Sequence, residues 1–586
     1  MKHAGAVTLT LAWVGMTLGA CQLVGGITDR TLEAPGDDAS NGPDSPSPDA
    51  RAGKDGNAES GPGPDTGGPD ALVDAGNDAA APECRTNAEC TARATAAELD
   101  AGVGDASGDA AVFTGALDGG VVPAVCVQSV GRCAPLLTPD CRAFYGDYTN
   151  DNAILIGTIF NTTGSLAGSN IPRQQAALLA AQEINSSVSG GGIPGVDGGP
   201  VRPLLVLECD PTANTLRTAS HLASDLHVPA VVGPNVAEDI LNITQQVSAS
   251  AGMLMLSPTV PIDPVTDLKD NGLTWRDIPS DHQRAPLYAD QITALANELT
   301  QSGRSNLKLG VVVRNDALGS SALNSISSVP FPPGSSLTVG SPGANVTIDE
   351  YALSDTAAQA AIATKYATNV PDIIFVIAQE AVASVVIPLE KNLTSAGYHG
   401  NRPYYIATDT AKTVGWLSTP AGVPADFPSR VRGVGVTPDL GAATTNFNAF
   451  NAAYAGFYQS NPGTAGMGPA YDAMYSVAYA IAAGGGGPVT GASVAQGLNQ
   501  LDFGTAFNVG SQASSGAFQA IQSAGHIALE GTFTLMHWDG KGDMVGGTLQ
   551  VWCVSAPEGG TPAFAPSGRT LDLTAGSITG TYVQCN

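Results

Sequence analysis

Thiols carry the widest chemistry in this chain. It has nine cysteines, at 21, 84, 90, 126, 133, 141, 209, 553 and 585. A thiol can be acylated, oxidised to a disulfide, bound to a metal or used as a nucleophile, and its neighbours decide which. A structural metal site wants closely spaced Cys and His, yet no CxxC occurs and the seven His are scattered. No metal or other cofactor is therefore expected. No HExxH, Walker A, GxGxxG or GxSxG stands where its chemistry would need it. Asp539 and Asp543 flank a Gly-rich turn, but the remaining carboxylates of a calcium loop are missing. His537 beside Trp538 is isolated and reads as packed or exposed. No nucleophile–base pair can be assembled, so the chain reads as a non-enzyme. With Cys21 set aside, eight thiols remain, an even number that suits an oxidising compartment. Their pairing is open. Cys553 with Cys585 and Cys141 with Cys209 are favoured, leaving four for an N-terminal module.

Cys21 stands apart. It ends the run LGAC at 18–21, after Lys2, His3 and an uncharged apolar stretch at 4–16 that is too short to span a bilayer. This arrangement resembles the bacterial lipoprotein signal. The resemblance implies that residues 1–20 are removed, that Cys21 carries diacylglycerol, and that its new amino terminus is acylated. Each buried methylene contributes roughly 0.8 kcal/mol, so two or three chains anchor firmly. The expected location is the cell envelope, lipid-anchored, facing the periplasm or in the outer membrane. Gln22, rather than Asp, leans toward the outer membrane.

Composition narrows the partners. Lys+Arg is 25 against Asp+Glu 53, a formal net charge of −28, which argues against nucleic acid. Residues 21–82 are rich in Asp, Pro, Gly, Ala and Ser, as in GPGPDTGGP at 61–69. Such a segment cannot offset its ordering entropy and is expected to be a disordered tether. Residues 83–142 hold five cysteines around an Ala/Gly/Asp-rich insert at about 95–121, and have too little core to fold without cross-links.

From residue 152 the pattern alternates. Apolar β-branched runs at 153–159, 203–208, 228–232 and 253–256 read as buried strands. Segments 173–185, 215–226 and 237–249 between them read as helices. The alternation restarts with a helix at 284–299 and strands at 308–313, 372–377 and 403–407. Helices at 381–396 and 471–483 and a β-rich end at 531–554 complete it. Two doubly wound α/β units imply two lobes with a cleft at the carboxyl ends of the strands.

The residues resemble the Leu/Ile/Val-binding family of type I periplasmic binding proteins. GTIFNTTGSL at 157–166 matches the first strand and loop, and AALLAAQEIN at 176–185 the helix after it. CDP at 209–211, VGPN at 232–235, MLSPT at 255–259, AYDA at 470–473 and WDGKGD at 538–543 follow in the family's order. The resemblance covers about 152–554. It implies a mostly parallel doubly wound sheet with flanking helices in each lobe and a hinge between the lobes. The binding domain would span 150–555, with lobe one at about 150–282 and 438–535, lobe two at about 283–437 and 536–555, and a C-terminal extension at 556–586.

The resemblance also implies capture of a small amino-acid, amide or peptide-like ligand for an ABC permease, or a sensing or scaffolding role without transport. Carried over by position, Asp409 would receive a ligand ammonium. Ser257, Thr259 and Asn235 would lie in lobe-one ligand loops, and Phe160 and Tyr471 would form apolar walls. The chain departs from the family at three points. The lobe-one serine falls on Ala237, its threonine on Pro261, and the lobe-two aromatic on Gln379. Glu238 and Asp239 open the helix after Asn235 and would repel an anion there. An altered amino-acid site is therefore expected.

Overall fold

Short apolar runs, most of the central ones buried on both faces, build two large sheets in the computed structural model. The structure describes residues 82–92, 122–187, 191–437, 442–557 and 560–585, all within one unit, Ala79–Asn586. The expected signal peptide, Cys21, the tether up to residue 81 and the insert at 95–121 lie outside the described residues.

The chain opens with a hairpin of β1 (Ala124–Val127) and β2 (Arg132–Pro135). Cys126 and Cys133 face each other in its register and bond outward to Cys84 and Cys90. The three sulfurs of Cys84, Cys90 and Cys126 cluster closely, but as disulfides they offer no thiolate to a metal. Val125, Val127, Ala134 and Leu136 pack into the core beneath the first sheet, so the cysteine-rich segment is docked rather than free. Asn87 seals the seam: its Oδ1 accepts from Cys126 N at 2.8 Å and its Nδ2 donates to Tyr148 O at 2.9 Å.

The lobe-one sheet holds β3 (Cys141–Tyr145), β4 (Ile154–Ile159), β5 (Leu204–Cys209), β6 (Ala230–Val232), β7 (Leu254–Ser257) and β8 (Thr274–Arg276). Their order is β3-β5-β4-β6-β7-β8, parallel except for β3. β3 is the tail of the segment assigned to the cysteine-rich module. It joins the sheet because Cys141 sits opposite Cys209 in register and is bonded to it. Helix Met467–Ala483 is buried from Met467 through Ala482, packed between Ala167–Ser187 and the helices at Gly491–Leu498 and Ser511–Ala524.

The lobe-two sheet holds β9 (Leu309–Arg314), β10 (Val346–Tyr351), β11 (Ile373–Val376), β12 (Tyr404–Ala407) and β13 (Val431–Thr437) as its parallel part, in the order β10-β9-β11-β12-β13. A two-stranded ribbon, β14 (Ala506–Asn508) with β15 (Ala528–Glu530), belongs to the return through lobe one. The lobe-two sheet is completed, antiparallel, by β16 (Thr548–Ser555), β17 (Ala563–Asp572) and β18 (Ser577–Thr579).

Two sequence-based boundaries move. Residues 556–586 are no appendage: β17 and β18 extend the lobe-two sheet, and Cys585 is bonded to Cys553 of β16. Residues 536–544 do not belong to lobe two. Met536, Trp538 and Met544 sit in the lobe-one core, and the chain recrosses only afterwards. The cause is Trp538, whose ring meets Trp275 edge-on at 5.7 Å.

Among the described residues no helix is long and apolar enough to cross a membrane. The Cys141–Cys209 bond closes a separation of 68 residues and pins an edge strand. Replacing both cysteines by alanine is expected to lower unfolding stability by about 2–5 kcal/mol, measured by urea titration; an unchanged midpoint would mean that β3 holds without its bond.

Candidate functional site

The loops leaving the carboxyl ends of the central strands of both sheets converge on one small cavity. β4 leads to Leu166 and Asn170, β6 to Asn235, Val236 and Ala237, and β7 to Thr259, Val260 and Pro261. From lobe two, β9 supplies Arg314, β11 Gln379 and β12 Thr410, while Leu318 comes from the helix after β9. Arg173, on helix Ala167–Ser187, completes the lining. The room there for water-sized molecules is about 50 Å3, a few water molecules' worth.

The space is small because the lobes touch. Ser169 Oγ donates to Gln379 Oε1 at 2.8 Å, Ala317 N donates to Glu238 Oε1 at 2.6 Å, and Asp263 N donates to Ser321 Oγ at 3.0 Å. Leu318 and Ala378 of lobe two pack among Ala237, Ile240, Val260 and Ile262 of lobe one. Glu238, expected to repel anions at its own helix, reaches across the cleft to the start of helix Ala317–Ile326.

The sequence-derived residues divide. Asn235, Thr259 and Gln379 line the cavity, as do Ala237 and Pro261 at the altered positions. Asn235 Oδ1 accepts from Asn161 N at 3.0 Å, which holds the β4 and β6 loops together. Ser257 is fully buried behind the cavity, where its hydroxyl donates to Pro234 O at 2.7 Å and accepts from Val260 N at 3.3 Å. Phe160 and Tyr471 are core residues, not cavity walls. Both have their reason: Phe160 is wholly buried, and the Tyr471 hydroxyl donates to Glu183 Oε2 at 2.5 Å. Asp409 lies beside the cavity but is already paired, accepting from Arg284 Nη1 at 2.9 Å.

Two lining arginines escaped sequence reasoning. Arg173 donates from Nε to Ala465 O at 2.7 Å and from Nη1 to Asn170 Oδ1 at 2.8 Å. Burial pushes its guanidinium down to about 10, opposed by the charge of Asp409, so it stays protonated at neutral pH. A signal existed: Arg173 extends the apolar stripe Ala176, Ala180, Ile184 back by one turn, a cation on a buried face. Gly466 makes room for it. A Cβ there would lie 2.9 Å from Arg173 Nε and 2.5 Å from Thr259 Cγ2, and its φ is +88°. Arg314 pairs with Asp316, and its Nη1 lies 3.6 Å from Glu380 Oε2.

Behind the lobe-one loops lies a clamp. Arg276, fully buried at the end of β8, donates from Nε to Asp543 Oδ1 at 2.6 Å and from Nη1 to Pro261 O at 3.1 Å and Ile262 O at 2.8 Å. Its Nη2 meets Thr266, whose hydroxyl donates to Asp543 Oδ2 at 2.7 Å. The WDGKGD turn thus supplies a carboxylate to a buried guanidinium. That guanidinium in turn fixes the loop on which Pro261 lines the cavity.

No family model matches the chain, and no curated protein matches it. Solved structures do. A solute-binding protein of an ABC transporter from R. palustris, in complex with benzoate, shares 13% identity over 74% of this chain and 99% of its own, with a TM-score of 0.50. A possible leucine/isoleucine/valine-binding protein from Rhodopirellula baltica shares 13% over 72% and 98%, also at 0.50. A branched-chain amino acid transporter substrate-binding protein from Streptococcus pneumoniae, in complex with isoleucine, shares 19% over 71% and 99%, at 0.49. The fold is the two-lobed type I binding-protein fold.

Two measurements test the site's electrostatics. Asp543→Asn leaves Arg276 buried beside a neutral partner and is expected to lower stability by about 3 kcal/mol or more; a denaturation midpoint equal to the parent's would show that the backbone carbonyls suffice. Burial also raises Asp239 to about 6, Asp281 and Asp472 to about 7, and Asp277 well above its ordinary range. Below the ordinary aspartate value folded and unfolded chains both hold these protons. As pH rises the unfolded chain ionises first, and the stability is lost through the folded values. The thermal midpoint is expected to be higher at about pH 5 than at about pH 8; a midpoint that rises over this interval would contradict the assignment.

Proposed function

We propose that the protein is an extracytoplasmic solute-binding lipoprotein that captures a small polar ligand between its lobes and delivers it to an ABC permease unchanged. The observation that carries this reading is the cavity's position. It is lined by polar side chains from both lobes at the carboxyl ends of both sheets, where open α/β folds bind ligands. A site made of two halves gains contacts only on closure, so a ligand that touches both halves drives closure. The lobes touch in the described form, and a ligand larger than the space between them requires them to part. The fold is shared with a benzoate-bound solute-binding protein of an ABC transporter.

Location rests on two supports. All eight cysteines beyond Cys21 are paired in disulfides, as an oxidising compartment allows. The LGAC run supplies the lipid attachment residue, and the acidic 21–82 segment is the tether. A second reading, a sensing or scaffolding protein without transport, is favoured by the direct contacts of Glu238, Ser169 and Leu318 between the lobes.

Native mass spectrometry of protein purified from its own host is expected to show a bound small molecule that unfolding releases intact. A chemically altered product after incubation would refute pure binding. Loss of uptake of that molecule on gene deletion separates transport from sensing. Cys21→Ala is expected to move the protein from the membrane to the soluble fraction; continued membrane association would remove the lipid anchor from the proposal.

A further inference from the structure

We infer that the captured solute is a small carboxylate lacking an ammonium group, bound by Arg173 of lobe one with Arg314 facing it from lobe two; this rests on the solute-capture reading above. Cavity charge is the first support. In a chain with 53 acidic and 25 basic residues, the lining contains two arginines and no carboxylate. The two are not equivalent. Arg314 is neutralised by Asp316 and Glu380. Arg173 is 8% exposed, makes no ion pair with any described residue, and spends Nε and Nη1 on neutral oxygens. Its Nη2 has no hydrogen-bond partner among the described residues. The charge of Asp409 acts on it without forming an ion pair. A buried guanidinium with no direct ion pair is costly, and an anion in the adjoining space lowers that cost.

The second support is the loss of the ammonium site. Asp409 is held by Arg284 at 2.9 Å, with Arg284 at 1% side-chain exposure. Arg284 Nε and Nη2 already lack partners. Drawing Asp409 toward a ligand cation would strand Arg284 as well. The remaining Nη2 of Arg173 can donate to a carboxylate oxygen at charge-assisted strength. About 50 Å3 admits a carboxylate head in the closed form. Leu166, Val260 and Leu318 offer apolar wall to a short tail, and a longer tail needs a wider opening of the lobes.

Calorimetry on the mature protein, unfolded and refolded to strip its ligand, tests this with probes built on one skeleton. Isocaproate is leucine without its ammonium group, and isoamylamine is leucine without its carboxylate. Acetate, butanoate, benzoate and sulfate complete the panel. Saturable binding is expected for at least one monocarboxylate, more tightly than for leucine, the amine or sulfate. Arg173→Gln is expected to weaken it by about tenfold or more, with Arg173→Lys intermediate. The wild-type panel decides the matter even if a variant fails to fold. Tighter binding of leucine, the amine or sulfate would overturn the carboxylate assignment and leave solute capture standing. So would a co-purified solute that is no carboxylate. If no probe binds and nothing co-purifies, solute capture falls too.

Discussion

The buried contact between Arg276 and Asp543 is the centre of a set of bonds that joins pieces of chain far apart in sequence. Arg276 ends the last strand of the lobe-one sheet, and Asp543 sits 267 residues later, in the turn before the chain recrosses to lobe two. Every nitrogen of this unexposed guanidinium has a partner: two oxygens of the Pro261–Ile262 loop, Thr266 and the Asp543 carboxylate surround it. Its backbone carbonyl is used as well, accepting from Trp538 Nε1 at 2.9 Å. The lobe-one loop that lines the cavity, the end of its sheet and the return crossing are thereby locked into one body. Movement between the lobes can then occur at the crossings without loosening the loops that line the cavity.

Lobe two has its own fully buried charge centre. Glu390 accepts from Arg430 and from Tyr405 at 2.7 Å each on Oε1, and from Arg402 at 2.7 Å on Oε2. Each lobe thus holds a buried arginine–carboxylate centre made from its own residues. Among the described residues the seam between the lobes is lighter, with scattered hydrogen bonds such as Ser169–Gln379, Asp263–Ser321, Glu238–Ala317 and Gln283–Met544 and the small contact of Leu318 and Ala378. That difference in bonding is what a closing cleft needs: rigid halves and a seam that can part. The carboxyl groups of Asp277 and Asp281 lie where the chain crosses between lobes. Both Asp277 oxygens and one of Asp281 lack partners, which agrees with protons retained there.

Much of the fold was legible because parallel strands buried on both faces are continuous apolar runs. The runs at 153–159, 203–208, 308–313 and 372–377 are all strands within a residue or two. β17 and β18 were not legible. Their burial is one-sided and irregular, and their residues are small and polar, so no period stands out. Strand β3 was hidden for a different reason: its sheet partner is 68 residues away, and only the pairing makes it a strand. For the site, the loop positions Asn235, Thr259 and Gln379 were identifiable from their order along the chain. Phe160 and Tyr471 were misplaced because an aromatic beside a strand or in a helix looks the same whether it faces a cleft or a core.

The sequence by itself determined the class of architecture, the apolar strands, the acidic character and the even set of thiols, because these follow from composition and local period. Which charges neutralise one another was decided only in three dimensions. Asp409 and Arg284 are 125 residues apart, as remote in the chain as they are close in space. Arg173 differs from its paired counterparts only in what the fold leaves beside it. Electrostatic partnership depends on distance and burial, and neither is written in the order of residues.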